Sequence, residues 1–224
     1  QVNVDGRNNP DFGRSDYAIG HRVMANLGYV INWAKKSLYN TSITLFYDGH
    51  NNQAYSYLID NASNPNGETG STGRNRSLVY VPIDQNDITL VDYKDAKGNT
   101  ISAATQWDNL NKYIDSDPYL SKHRGEYVEK NSNLGLFTNY FDLALRQDLG
   151  MKINNRVHKL QFSFDVFNLA NLLNPKWGAR YYVPGFSGDQ FNYYGLYRFE
   201  KLVADPNNGN KVSKPTFSYR GGSE

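Results

Sequence analysis

Antiparallel β-structure of the membrane-spanning barrel kind is the fold class this sequence predicts, and three observations carry it. Segments of roughly ten residues alternate apolar and polar side chains with period two. The polar rows hold Asp, Arg and Asn opposite rows of Leu, Phe, Val and Tyr, as a wall needs when one face meets hydrocarbon and the other meets water. The connections are unequal, a few residues on one side and several tens on the other.

The first strand is expected at about 21–34, where Val23, Ala25, Leu27, Tyr29, Ile31 and Trp33 alternate with Arg22, Asn26, Gly28 and Asn32. Ala34 to Asn40 joins it to a second strand at about 41–59, with Ile43, Leu45 and Tyr47 against Ser42, Thr44 and Asp48. The third, at about 137–150, sets Phe141, Leu143, Leu145 and Leu149 against Asp142, Arg146 and Asp148. A tight Asn154-Asn155 turn leads to the fourth, at about 157–169, with Leu160, Phe162, Phe164 and Val166 against Gln161, Ser163 and Asp165. A last strand is expected to start at about 216–224.

The stretches at about 60–133 and 171–215 are read as long external loops. Inside the first, Leu78 to Pro82 reads as a short strand stopped by proline, and Asp95 to Asn99 as a turn. A helix is expected from Thr105 to Ser116, because Trp107, Leu110 and Ile114 share one face at helical spacing. Thr105 with Asp108 resembles a cap, and Asp117-Pro118 ends the helix. Alternation alone serves a soluble, glycan-binding β-sandwich equally well, its polar face being the solvated exterior. The loop lengths favour the membrane, since a structureless loop of seventy residues, roughly, counts against a compact soluble domain.

At 224 residues, with 39% hydrophobic content and a mean hydropathy of -0.69, the chain holds no apolar run fit for a helical span. Eighteen tyrosines suit strands and membrane interfaces alike, and Trp33 and Tyr39 beside a turn would suit an interfacial girdle. With no cysteine there are no disulfides, thiol chemistry or Cys-ligated zinc. A net charge of +2 without a basic stripe leaves nucleic acid out as a partner.

No catalytic constellation emerges, and neither an enzyme activity nor a cofactor nor a metal is expected. His21, His50, His123 and His158 share no ligand spacing, and the oxygen-rich Asp60 to Glu68 stretch departs from the calcium-loop template, with Pro65 inside it. Asp142, Arg146, Asp148 and Asp165 read as a lumen-facing salt-bridge ladder rather than a catalytic set. Trp107, Tyr181, Tyr182, Tyr193 and Tyr194 are the candidate ligand contacts of the loops, offering stacking area and hydroxyls.

Several runs resemble a known family: Tyr119 to Tyr127, Asn139 to Leu143, Leu160 to Asn174 and Lys176-Trp177-Gly178, with His21-Arg22-Val23 and Leu45 to Gly49. Together they are similar to the C-terminal barrel region of TonB-dependent outer-membrane receptors, in particular the Oar-like group of Bacteroidetes-type bacteria. The resemblance implies a barrel of about 22 strands closed by an N-terminal plug. It also implies a place in the outer membrane of a Gram-negative cell and import of an extracellular ligand with energy passed through TonB. Residues 1–224 would supply the C-terminal part of that barrel. Its partners would be outer-membrane lipid, the rest of the barrel and plug, TonB through a preceding segment, and a ligand the sequence does not identify. An outer-membrane adhesin or structural barrel without transport is the alternative within the membrane reading. Four strands and the start of a fifth are too few to close a barrel, so the outer edge of the first strand is expected to pair with protein outside these residues, and the last strand to close against an N-terminal one.

Overall fold

The computed structural model describes residues 2–3, 12–15, 17–18, 20–33, 38–60, 76–179, 193–209 and 211–221. The elements in chain order are β1 (Val2–Asn3), β2 (Arg22–Asn32), β3 (Tyr39–Asn51), β4 (Ala54–Asp60), β5 (Arg76–Ser77), β6 (Tyr93–Lys94), β7 (Thr100–Ile101) and α1 (Ala103–Ser116). They continue with β8 (Asn133–Leu134), β9 (Phe137–Ile153), β10 (Arg156–Val166), α2 (Leu169–Leu173), β11 (Tyr193–Asp205) and β12 (Lys211–Ser218). Strands dominate, and among the described residues no helix is long and apolar enough to cross a membrane. Among the described residues the sheets are open and do not close into a barrel. The chain divides into two compact units, one drawn from residues 19–52 and 135–181, the other from 1–18, 53–134 and 182–224.

The first of these units is a four-stranded antiparallel sheet in the order β10-β9-β3-β2. Both expected hairpins form. The β9–β10 turn places Asn154 and Asn155 at φ 48° and 64°, the left-handed conformation that a two-residue hairpin loop requires and that Asn tolerates. Directly opposed residues share a face, so the register decides sidedness. Leu27, Leu45, Leu143 and Val166 stand side by side across all four strands, and Tyr29, Ile43, Leu145 and Phe164 form the next row. The other face carries Gly28, Thr44, Ala144 and Asp165, then Val30, Ser42, Arg146 and Ser163, then Asn32, Asn40, Asp148 and Gln161. Both short connections lie at one end of this sheet, whereas β3, β9 and β10 meet their long connections at the other.

The second unit is a mixed sheet in the order β12-β11-β4-β8 with α1 and a true core. The β11–β4 pair is parallel, which buries a strand on both faces, and Tyr57, Leu58, Leu196 and Tyr197 are accordingly all buried. Val79, Val81, Leu110, Ile114, Leu120 and Val128 complete the apolar centre. Gln106 is buried with them, its amide donating to the carbonyls of Val91 and Ile101 and accepting from the N–H of Tyr219 at 2.9 Å.

Several expectations are corrected. Residues 41–59 are two strands in two different sheets, broken at Asn52-Gln53. The Asn52 amide donates to the Leu136 carbonyl and the Thr138 hydroxyl, and the Asn51 side chain accepts from the N–H of His21, so side chains add to the backbone bonds from Asn51 to His21 and from Asn52 to Leu136 as the strand ends. The stretch 171–215 contains β11, a strand of 13 residues. Its paired burial and its irregular register hide the period-two pattern. The fourth strand stops at Val166, and Leu169–Leu173 is helical. The last strand runs Lys211–Ser218 and ends where it was expected to begin; residues 222–224 lie outside the described ones. Leu78 to Pro82 makes only isolated bridges, Leu78 to Leu58 and Tyr80 to Tyr127. The helix is found at Ala103–Ser116, but its cap is Ser102, whose hydroxyl accepts from the N–H of Thr105.

Candidate functional site

The two faces of the β10-β9-β3-β2 sheet are the feature most unlike an ordinary domain. On the apolar face the side chains of the outer strands are exposed, Leu27 at 70%, Tyr29 at 67% and Phe164 at 63%, with Val23, Leu160 and Phe162 also above one half, while Ile43, Leu45, Leu143 and Leu145 of the central strands are half-buried. An exposed apolar patch of this continuity marks a surface that meets protein or lipid. Trp33 and Tyr39 close its lower edge beside the 33–38 connection, where the Trp33 indole donates to the Thr41 hydroxyl at 2.7 Å.

The polar face is organised by hydrogen bonds. Arg22 grips Asp48 with both ends of its fork, Nε to Oδ1 at 3.0 Å and Nη2 to Oδ2 at 2.9 Å, and His50 Nδ1 lies 3.3 Å from Asp48 Oδ1. Asp148 accepts from the Gln161 amide at 2.7 Å, and Asp142 accepts from the N–H of Asn168 at 2.7 Å. Asp142, Arg146, Asp148 and Asp165 do share this face, but no ion pair links any two of them. Arg146 stands opposite Ser42 and Ser163, and Asp165 opposite Ala144, so the register keeps the charges apart and the expected ladder does not form. Met24, Val30 and Phe46 also fall on this face, which is less uniformly polar than the sequence pattern suggests.

The loop aromatics separate. Trp107 is half-buried and packs against the core of the second unit. Tyr194 stacks on Tyr113 at 5.6 Å between ring centres and meets Tyr57 edge-on at 5.5 Å. The Tyr57 hydroxyl donates to Asp117 at 2.5 Å, while the other oxygen of Asp117 accepts from the N–H groups of Tyr119 and Leu120. Burial, foremost, pushes Tyr57, Tyr113 and Tyr194 above the usual tyrosine range, and Tyr219 up to about 12. Tyr193, like Tyr194, is partly buried and packs against this core. Tyr181, Tyr182 and the Asn61 to Glu68 part of the oxygen-rich loop lie outside the described residues. Among the histidines, His50 joins the Arg22–Asp48 pair and His123 stacks on Tyr119 at 4.0 Å, while His158 stands opposite Met151 on the sheet. Among the described residues no three acidic or imidazole side chains converge as metal ligands.

One site went unforeseen in the sequence: a cavity of about 640 Å³ in the second unit, lined by residues of β6, β7, β11 and the Asp95 turn with Asp60 and Arg220. Its signal was Arg198, a charge set between buried Tyr197 and Phe199. Searches against family models, curated proteins and solved structures find no match for this chain.

Proposed function

We propose that the chain is part of a TonB-dependent outer-membrane receptor, with the β10-β9-β3-β2 sheet as a piece of its barrel wall. The observation that carries this reading is a sheet with one bare apolar face and one hydrogen-bonded polar face. In water, each exposed apolar side chain forgoes burial free energy of about 25 cal/mol per Å², whereas in hydrocarbon the same face is satisfied. On this reading Leu27, Leu143, Leu160, Phe162 and Phe164 meet lipid. Asn26, Asp142, Arg146, Asp148 and Asp165 meet a water-filled lumen. The short connections at one end and the long ones at the other fit the periplasmic and external ends of such a barrel. The outer edge of β2, which no described strand covers, then pairs with a further strand of the same parent, since hydrocarbon offers its N–H and C=O groups no partner. Import of an external ligand and coupling to TonB belong to this proposal through the family resemblance.

The absence of cysteine makes the test direct. Single cysteines are placed at Leu27, Leu143 and Phe162, and at Asn26, Asp142 and Ser163, in the parent protein in isolated outer membranes. A membrane-impermeant maleimide should label the second set and spare the first, which only a lipid-soluble reagent reaches. Equal labelling of both sets by the impermeant reagent overturns the wall assignment.

A further inference from the structure

The cavity of the second unit has a lining that reads as a recognition site. Its volume of about 640 Å³ lies within the range of small-molecule pockets, roughly 300–1,000 Å³. Three cations, Lys94, Arg198 and Arg220, line it with two acids, Asp60 and Asp95. These charges are not equally engaged. Asp95 spends both oxygens on its own turn: Oδ1 accepts from the N–H of Lys97 at 2.9 Å and of Asn99 at 2.8 Å, and Oδ2 accepts from the Asn99 amide at 3.1 Å. Those bonds, the Asn99 side chain first, hold its carboxyl below the usual range. Arg220 pairs with Glu200 at 3.1 Å, donates from Nε to the Ser218 hydroxyl, and lies 4.8 Å over the Tyr93 ring.

Arg198 is different. Its Nε is buried without a hydrogen-bond partner, and among the described residues no carboxylate lies within ion-pair distance of it. The residue as a whole is half-buried and lines the cavity beside its register partner Asp60, and its guanidinium stays charged, so it offers the cavity a cation that no carboxylate there neutralises at ion-pair distance. The backbone is shaped to present it. The register of β11 breaks between Gly195 and Tyr197 against β4, and again between Phe199 and Lys201 against β12, which leaves Arg198 between two irregularities of the kind that re-aim side chains. A Cβ on Gly195 would come 2.9 Å from Asp60 Cβ, so glycine there allows the two strands their close approach at the cavity floor.

We propose that this cavity binds a small ligand through a single carboxylate, held by the Arg198 fork with the flat Tyr93–Arg220 pair as a side wall. The planar fork matches a carboxylate with two parallel bonds. The lining carries three positive and two negative side chains, and Glu200 offsets Arg220. That near balance suits a singly charged group and opposes a polyphosphate. The site lies wholly in the second unit, so it stands or falls apart from the barrel-wall proposal.

Isothermal titration of the full chain in detergent is the test, with D-glucuronate and N-acetylglycylglycine as carboxylate probes and D-glucose as the neutral control. One or both carboxylates should bind and glucose should not. Glucuronate alone identifies an acidic sugar, the peptide alone a chain terminus, and both together a site that reads the carboxylate only. Arg198→Gln should weaken binding about ten- to a hundredfold, with Arg198→Lys between it and the wild type and the thermal melt of each recorded beside it. Glucose binding as well as glucuronate, neither carboxylate binding, or unchanged affinity in a folded Arg198→Gln protein each overturns the proposal.

Discussion

Leu27 and Leu110 are the same side chain in opposite circumstances. Leu27 stands on the β10-β9-β3-β2 sheet at 70% exposure, and Leu110 lies in the core of the second unit at 0%. The second unit follows the rule of soluble domains, with apolar side chains packed inward and buried polar groups such as Gln106 given partners. The β10-β9-β3-β2 sheet is arranged differently. Its backbone is satisfied by strand pairing inside the sheet and its polar face by local bonds, while Leu27, Tyr29 and Phe164 of its apolar face are exposed. One chain thus contains a region whose stability is internal and a region whose apolar burial depends on what surrounds it.

Four measurements would sharpen or break that contrast. Leu110→Ala should have the largest effect, destabilising the second unit by about 2–5 kcal/mol through lost burial and a residual cavity. Denaturant unfolding followed by the fluorescence of nearby Trp107 reads this, and a loss below 1 kcal/mol, roughly, would mean the core is not as tight as its burial implies. Leu143→Arg in a bilayer should cost about 2–4 kcal/mol near the midplane, whereas Ser163→Arg on the opposite face should stay within about 0.5 kcal/mol. Equal costs at the two positions would erase the difference between the faces.

Gln106→Ala should cost about 1–3 kcal/mol by leaving the buried N–H of Tyr219 and the part-buried carbonyls of Val91 and Ile101 without their partner. A neutral outcome in thermal melts would show that water replaces the amide. The smallest effect is alkaline. The buried tyrosines have folded-state values raised above 10.0, so their contribution is complete below that pH and is lost as pH climbs through the folded values, beginning with Tyr219 at about 12. Tyrosinate absorbance from Tyr57, Tyr113 and Tyr219 should therefore appear only well above pH 10.0; ionisation of these side chains near 10.0 would contradict the burial.

The hairpins and the helix were legible because their signals are local. Strict alternation from Val23 to Ile31 and from Phe141 to Leu145 reflects one environment per face. The Leu110–Ile114 spacing reflects one helical stripe, and Asn154-Asn155 is a turn by its own backbone preference. The cap moved from Thr105 to Ser102 because hydroxyls at both positions satisfy the same pattern and only backbone geometry chooses between them.

What only the tertiary structure decided are features made by contacts distant in sequence. The break at Asn52 comes from bonds to Leu136 and Thr138, and β11 exists as a strand because β4 and β12 flank it, one parallel and one antiparallel. Two register shifts place Arg198 beside Asp60 and the Tyr93 hairpin, a juxtaposition that no spacing along the chain encodes. Sequence alone determined which side chains share a face, since side-chain period is a property of the single strand. Which residues meet across the fold was left to pairing and register, since those are set by partners the local sequence does not name.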